Sequence, residues 1–220
     1  MTFELEVALE QAGKQELLEV VRGVKPDDME CIYVRQPQAL GLGHAVLCAE
    51  RLVGNHPFAV LLADDLMVGQ PPVLKQMVDQ FAEWRASIIA VQEVPPEHTR
   101  RYGIVAGTPV NDRMMDITRI VEKPAPEDAP SLLGVAGRYI LTPGVFHEIA
   151  SQPRGVGGEI QLTDGIAGIL RREKVFAYQY EGKRYDCGSK EGFLEATVEL
   201  ALAHPEFGTG FRSFLKNLEL

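Results

Sequence analysis

Along this chain short apolar runs of β type alternate with longer stretches of helical spacing, and that alternation restricts it to an α/β architecture. Phe58–Ala63 is the clearest run: unbroken apolar residues closed by Asp64 and Asp65, the pattern of a strand buried in a parallel sheet. Ser87–Val94 is a second buried strand, and Cys31–Val34 and Val175–Tyr180 read as strands too. Shorter β-like pieces surround Tyr102–Val105, Ile117–Val121 and Val135–Leu141, separated by turns rich in Pro and Gly. Helical spacing covers 3–22, with an i,i+4 pair of Glu10 and Lys14. It returns at His44–Leu52, from Pro71 and Pro72 to about Arg85, at Pro143–Ala150, at Glu159–Arg172, and near 191–203 and 211–218. The chain has no internal repeat and no linker, and the Pro/Glu/Asp stretch at 124–130 reads as a surface loop. One α/β domain with a mixed sheet is expected over residues 1–220.

Composition narrows the function. With 220 residues, 45% of them apolar and 24% charged, the chain suits a soluble globular fold. Its apolar runs are far too short for a bilayer, and the opening Met1–Glu6 lacks the basic and apolar segments of a signal peptide. The 22 basic residues against 31 acidic give a net charge of -9, which weighs against a nucleic-acid or membrane surface. Cys31, Cys48 and Cys187 are an odd, widely spaced set with no C-x-x-C pair, so neither a disulfide framework nor a cysteine zinc site is expected. A reducing cytoplasm fits them best.

Five clusters could carry chemistry. Asp64 and Asp65 end an apolar strand, where open α/β sheets place their ligands. A carboxylate there either holds a hard cation such as Mg²⁺, sharing its shell with substrate phosphates, or caps the next segment. The segment Gln36 to Ala45 puts Gly41 and Gly43 between a strand and a helix, where backbone can approach a ligand closely, although such glycines also serve ordinary turns. Gln36 both donates and accepts, as reading a nucleobase edge requires. Glu122 and Lys123 stand side by side at a strand end and would point to opposite faces, one toward sugar hydroxyls and one toward phosphate; the alternative is a surface ion pair. Glu159 and Asp164, where a loop runs into a helix, could be no more than N-terminal helix charges favoured by the macrodipole. Asp186, after another strand, supplies a second carboxylate that could meet Asp64 across a cleft, with Cys187 beside it structural.

Taken in order, Q-x-x-x-x-GLGHAVLCA, LLADD, YGIV, EKP, VAGRY, GGEIQLTD and YDCGSK resemble the bacterial UTP–glucose-1-phosphate uridylyltransferase family. The resemblance runs from about Phe3 to the C-terminal helix. It implies a Rossmann-like nucleotidyltransferase fold, a mixed and mostly parallel sheet flanked by helices. It further implies transfer of a uridylyl group from UTP to glucose 1-phosphate, giving UDP-glucose and pyrophosphate, with Mg²⁺ as cofactor. By position, Gln36 and Gly41 correspond to the uracil-reading loop and Asp64 to the magnesium ligand, with Asp65 its neighbour. Gly103 and Gly137 correspond to the lining of the sugar site. Glu122 corresponds to the carboxylate that holds glucose hydroxyls, Lys123 to the lysine that grips the sugar phosphate, and Asp186 to a second acidic residue near the metal. A homodimer or homotetramer is implied, with Phe211, Phe214, Leu215 and Leu218 on one helical face as a contact; packing against the same chain is the alternative.

The family's opening strand and its G-x-G-T-R loop have no counterpart in this sequence. The expectation is a fold missing its first βαβ portion, impaired triphosphate handling, and an unpaired edge beside Phe58–Ala63 that favours aggregation. Two other functions fit the same residues. One is a sugar-1-phosphate nucleotidyltransferase of different base or sugar preference. The other is a non-catalytic regulator or partner subunit that binds UDP-glucose.

Overall fold

The structure, a computed structural model, describes residues 2–218 apart from Lys25 and Asp27. The chain divides into two compact units, one up to Arg35 and one from Gln36 onward, where the sequence suggests a single domain. No shift in composition marks that division.

The first unit is a pair of helices, α1 (Thr2–Gln11) and α2 (Gln15–Gly23), rather than one helix over 3–22. Gly13 breaks the run by adopting φ 66°, a backbone region open to glycine, and this leaves Lys14 outside α1 and away from a helical pair with Glu10. Glu6 and Arg22 form an ion pair at 3.1 Å. Cys31–Val34 is not a strand: it is exposed and pairs with no described residue. Its β-branched side chains favour extended backbone, but a strand also needs a partner.

The second unit begins with two short helices, α3 (Leu42–Leu47) and α4 (Glu50–Val53), in place of one over His44–Leu52. Strands β1 (Phe58–Leu61) and β2 (Asp65–Val68) precede α5 (Val73–Trp84). Then come β3 (Ser87–Glu93), β4 (Gly103–Pro109), β5 (Met114–Glu122) and β6 (Leu133–Leu141). Helices α6 (Gly144–Ser151) and α7 (Leu162–Ile169) lead to β7 (Val175–Gln179) and β8 (Lys183–Asp186). The order closes with α8 (Lys190–Ala203) and α9 (Gly208–Lys216). Residues 159–161 belong to no helix and Gln161 is extended, so α7 starts later than the helical spacing suggests.

The main sheet runs β1-β6-β3-β7-β5-β4, and β2 pairs with β8 in a small second sheet. The sheet is mixed, as expected, but its balance is the reverse of mostly parallel. Among the described residues β3 and β7 are the parallel pair; β1–β6, β3–β6, β4–β5, β4–β6 and β5–β7 are antiparallel. A parallel neighbour needs a long crossover, whereas the tight turn between β4 and β5 returns the chain antiparallel. The run Phe58–Ala63 yields only β1, which among the described residues is an antiparallel edge strand and not a buried parallel one. Its residues alternate between half-buried and exposed, with Leu61 turned outward.

Helices cover both faces of the sheet. On one, Val73 and Met77 of α5 pack with Ile88, Ala90, Ile140 and Phe176. On the other, Phe146 and Ile149 of α6 and Leu162 and Ile166 of α7 pack with Ile89, Val91, Val135 and Val175. β3 sends alternate residues into each layer, which is why it reads as an unbroken apolar run. This packed centre positions the start of β4, the end of β5 and Gly137 within β6 at one end, where β2 and β8 lie.

Candidate active site

A cavity of about 310 Å³ opens at that end of the second unit. Eight residues singled out in the sequence border it: Asp64, Asp65, Gly103, Glu122, Lys123, Gly137, Glu159 and Asp186. Pairing explains how they meet. Gly103 opposes Glu122 across β4 and β5, and Leu62 N–H donates to the Gly137 carbonyl at 2.9 Å. Asp65 opposes Asp186 across β2 and β8, so the neighbouring Asp64 reaches the same place, its carbonyl accepting from Cys187 N–H at 2.8 Å.

Glu122 and Lys123 do not diverge. Lys123 has φ 47°, a sparsely populated conformation for a side chain other than glycine. That turn ends the strand alternation and brings its ammonium to 3.4 Å from Glu122 Oε1. The pair is no surface ion pair on the carboxylate side: the Glu122 side chain is 10% exposed, and the Thr163 hydroxyl donates to its Oε2 at 2.8 Å. Lys123 remains 41% exposed and able to follow a ligand. A methyl built on Gly103 would meet Thr163 Cγ2 at 2.7 Å and Glu122 Oε2 at 3.3 Å, so glycine keeps this wall open.

Asp64 and Asp65 have different fates. Asp64 is exposed at the cavity, and a methyl built on Gly188 would lie 2.9 Å from its Oδ2 and 3.2 Å from Asp186 Oδ1. Two carboxylate oxygens therefore flank one small space that a side chain would fill. Asp65 is a buried acid engaged through both of its oxygens. Its Oδ1 accepts from Arg184 Nε at 2.7 Å, with Nη2 at 2.5 Å, and its Oδ2 accepts from Gly137 N–H at 2.6 Å. Burial alone would lower the Arg184 pKa, but its hydrogen bonds to the Asp65 carboxylate outweigh that and hold it above its ordinary value.

Gln36 and Gly41 stand outside the cavity lining. Gln36 Nε2 donates to the Gly41 carbonyl at 3.0 Å and lies 3.0 Å from His44 Nδ1, which staples the loop to itself. Gly41, at φ 97°, packs against Glu159 and Ile160, and the loop is clipped there by Ile160 N–H to the Leu40 carbonyl at 2.7 Å. The loop thus backs the cavity wall at Glu159 and Leu42.

Several wall residues escape sequence reasoning, although each sits beside a residue that did not. Arg101 and Tyr102 precede Gly103, Tyr139 follows Gly137, and Thr163 follows the GEIQ segment. Tyr139 is 4% exposed and its hydroxyl has no hydrogen-bond partner among the described residues. Burial pushes its pKa up, helped by Glu122 and Asp65, so it stays protonated as a donor facing the cavity.

Residues 3–202 match the nucleotidyl transferase family model. A UTP–glucose-1-phosphate uridylyltransferase of Staphylococcus epidermidis is 43% identical over 217 residues, covering 99% of this chain and 75% of the relative. The corresponding Bacillus subtilis protein is 45% identical over 216 residues, 98% of this chain and 73% of the relative. The chain belongs to the nucleotidyl transferase family, in its UTP–glucose-1-phosphate uridylyltransferase branch. Solved structures agree. A UDP-glucose pyrophosphorylase complexed with UDP-glucose superposes with TM-score 0.81 at 43% identity, covering 88% of this chain and 74% of the other. A UTP-bound enzyme from Acinetobacter baumannii gives 0.87 at 41% identity, covering 99% and 76%. This nucleotidyl transferase therefore spans about three quarters of its relatives' length.

Proposed function

We propose that the cavity transfers a uridylyl group from UTP to glucose 1-phosphate, the phosphate oxygen of the sugar attacking the α-phosphorus and expelling pyrophosphate. The convergence of Glu122, Lys123, Asp64 and Asp186 on one cavity carries this reading. Glu122 accepts hydrogen bonds from sugar hydroxyls, its other oxygen fixed by Thr163. Lys123 places a point charge on the sugar phosphate and holds it for in-line attack. Gln36 and Gly41 shape the loop that meets the uracil, and Gly103 and Gly137 give the sugar room. Both substrates are polyanions, so charge neutralisation and positioning are the main tasks. Incubation with UTP, glucose 1-phosphate and Mg²⁺ should yield UDP-glucose, with dTTP, CTP and galactose 1-phosphate as poorer substrates. Equal turnover of CTP, or of galactose 1-phosphate, would move the assignment to another base or sugar.

Asp64 and Asp186 suit a Mg²⁺ ion, which is content with one or two carboxylates and completes its shell with phosphate oxygens and water. When bound, the ion supplies neutralisation of the phosphates. Asp64→Ala should remove the Mg²⁺ dependence of UDP-glucose formation together with most of the rate, roughly 10²-fold or more. A variant that still responds to chelation as the parent does would sink the assignment.

Self-association into a homodimer or homotetramer belongs to the same proposal, supported by exposed Phe193 and Leu194 on α8, Phe214 on α9 and Leu218 just beyond it. Light scattering should report a mass at least twice 24.3 kDa, and Phe214→Glu should lower it. A monomeric parent protein would end that reading. A cytoplasmic setting fits three free thiols at Cys31, Cys48 and Cys187. No described helix is long and apolar enough to cross a membrane.

A further inference from the structure

Asp186 meets the space it shares with Asp64 through one oxygen while its other oxygen is already engaged. Oδ2 accepts from Arg101 Nη2 at 2.6 Å and from the Tyr102 hydroxyl at 3.0 Å. The two donors differ in kind. Tyr102 is a half-buried phenol, and the guanidiniums of Arg101 and Arg184 lie over its ring at 5.6 and 4.9 Å from the centroid. It is a fixed part of the wall. Arg101 closes the 3-10 turn Pro96–Arg101, and its side chain is 40% exposed. An ion pair that open to solvent is held weakly and is readily exchanged.

A guanidinium and a divalent cation compete for one carboxylate, because each draws on the same negative charge and repels the other at short range. Arg101 also borders the cavity that Lys123 enters, and Arg184 is committed to Asp65. Arg101 is thus a cation with reason to leave Asp186 and another anion within the same cavity to meet. Its planar fork matches a phosphate.

We propose that Arg101 is a place-holding cation: it balances Asp186 until a divalent ion takes that carboxylate, and then turns to the substrate phosphate. The proposal rests on Asp64 and Asp186 as the ion's ligands. It makes Arg101 a control on metal affinity as well as a phosphate contact, so removing it should move two equilibria in opposite directions. A purely structural role for Arg101 would weaken both or neither.

The test is a titration of the substrate-free protein with Mn²⁺, read by electron paramagnetic resonance, and of the Mn²⁺-loaded protein with glucose 1-phosphate, read by calorimetry. Arg101→Met keeps the stem and removes the charge. It should bind Mn²⁺ about threefold to tenfold more tightly and glucose 1-phosphate about tenfold more weakly, and Arg101→Lys should restore part of both. Arg101→Gln replaces Arg101→Met should the latter fail to fold by its melting curve. Unchanged or weaker Mn²⁺ affinity overturns the proposal, and so does an absence of binding in parent and variant alike. Asp64→Ala separates the two layers. If it abolishes Mn²⁺ binding while Arg101→Met changes nothing, only the role of Arg101 fails; if it binds Mn²⁺ as the parent does, the metal assignment fails and takes the proposal with it.

Discussion

Lys123→Ala should slow UDP-glucose formation by about 10²- to 10³-fold, the range for removing one preorganised group that stabilises transition-state charge. Affinity for glucose 1-phosphate should fall about 10- to 100-fold, as for one charge-assisted contact. Stability should scarcely move. The ammonium lies 3.4 Å from Glu122 and is 41% exposed, so the fold draws little from it. Backbone strain gives a sharper version. With φ at 47°, the Lys123 position suits glycine better than any side chain, and Lys123→Gly should lose the same activity while melting no lower than Lys123→Ala. Steady-state kinetics and a melting curve decide it. Turnover within threefold of the parent would remove Lys123 from the chemistry, and a large fall in melting temperature would make it a structural residue.

The sequence exposes features whose cause is local and hides those whose cause is distant. β3 is legible because burial on both faces leaves a continuous apolar run, and the cavity is legible because its motifs end or begin strands. The orientation of Phe58–Ala63 is not, since an apolar run looks alike in parallel and antiparallel neighbours and the partner, β6, arrives some eighty residues later. The break at Gly13 was open to reading, as one glycine inside a helical pattern costs only about 1 kcal/mol and is easily discounted. The shared cleft of Glu122 and Lys123 was not, because a strand's alternation predicts divergence and a single backbone angle reverses it. Asp65 is the plainest case. Beside Asp64 in sequence, it is indistinguishable from it by type, and only a partner 119 residues away tells a structural acid from an open one.

That partner makes Asp65→Ala the substitution with the largest expected effect on stability. Asp65 and Arg184 have side chains 4% and 7% exposed, and their pairing satisfies a guanidinium buried against the Tyr102 ring. Removing the carboxylate strands that charge and leaves Gly137 N–H without its acceptor. Breaking a buried pair from one side costs on the order of 3–5 kcal/mol, which in a protein of this size lowers the melting temperature by roughly 10 °C. The loss should be far smaller when both members go: Asp65→Leu combined with Arg184→Met replaces the pair by apolar side chains and should recover much of the melting temperature. Function should part from stability there. Asp65 and Arg184 lie on the β2–β8 ladder that sets Asp65 opposite Asp186 and so brings the neighbouring Asp64 to the same place, so the double variant keeps a folded core while Asp64 and Asp186 lose their spacing. Melting curves with Mn²⁺ titrations distinguish the outcomes. A single variant that melts within 2 °C of the parent would mean that Arg184 finds another anion, and a double variant with parental Mn²⁺ affinity would mean that the ladder holds its register without the pair.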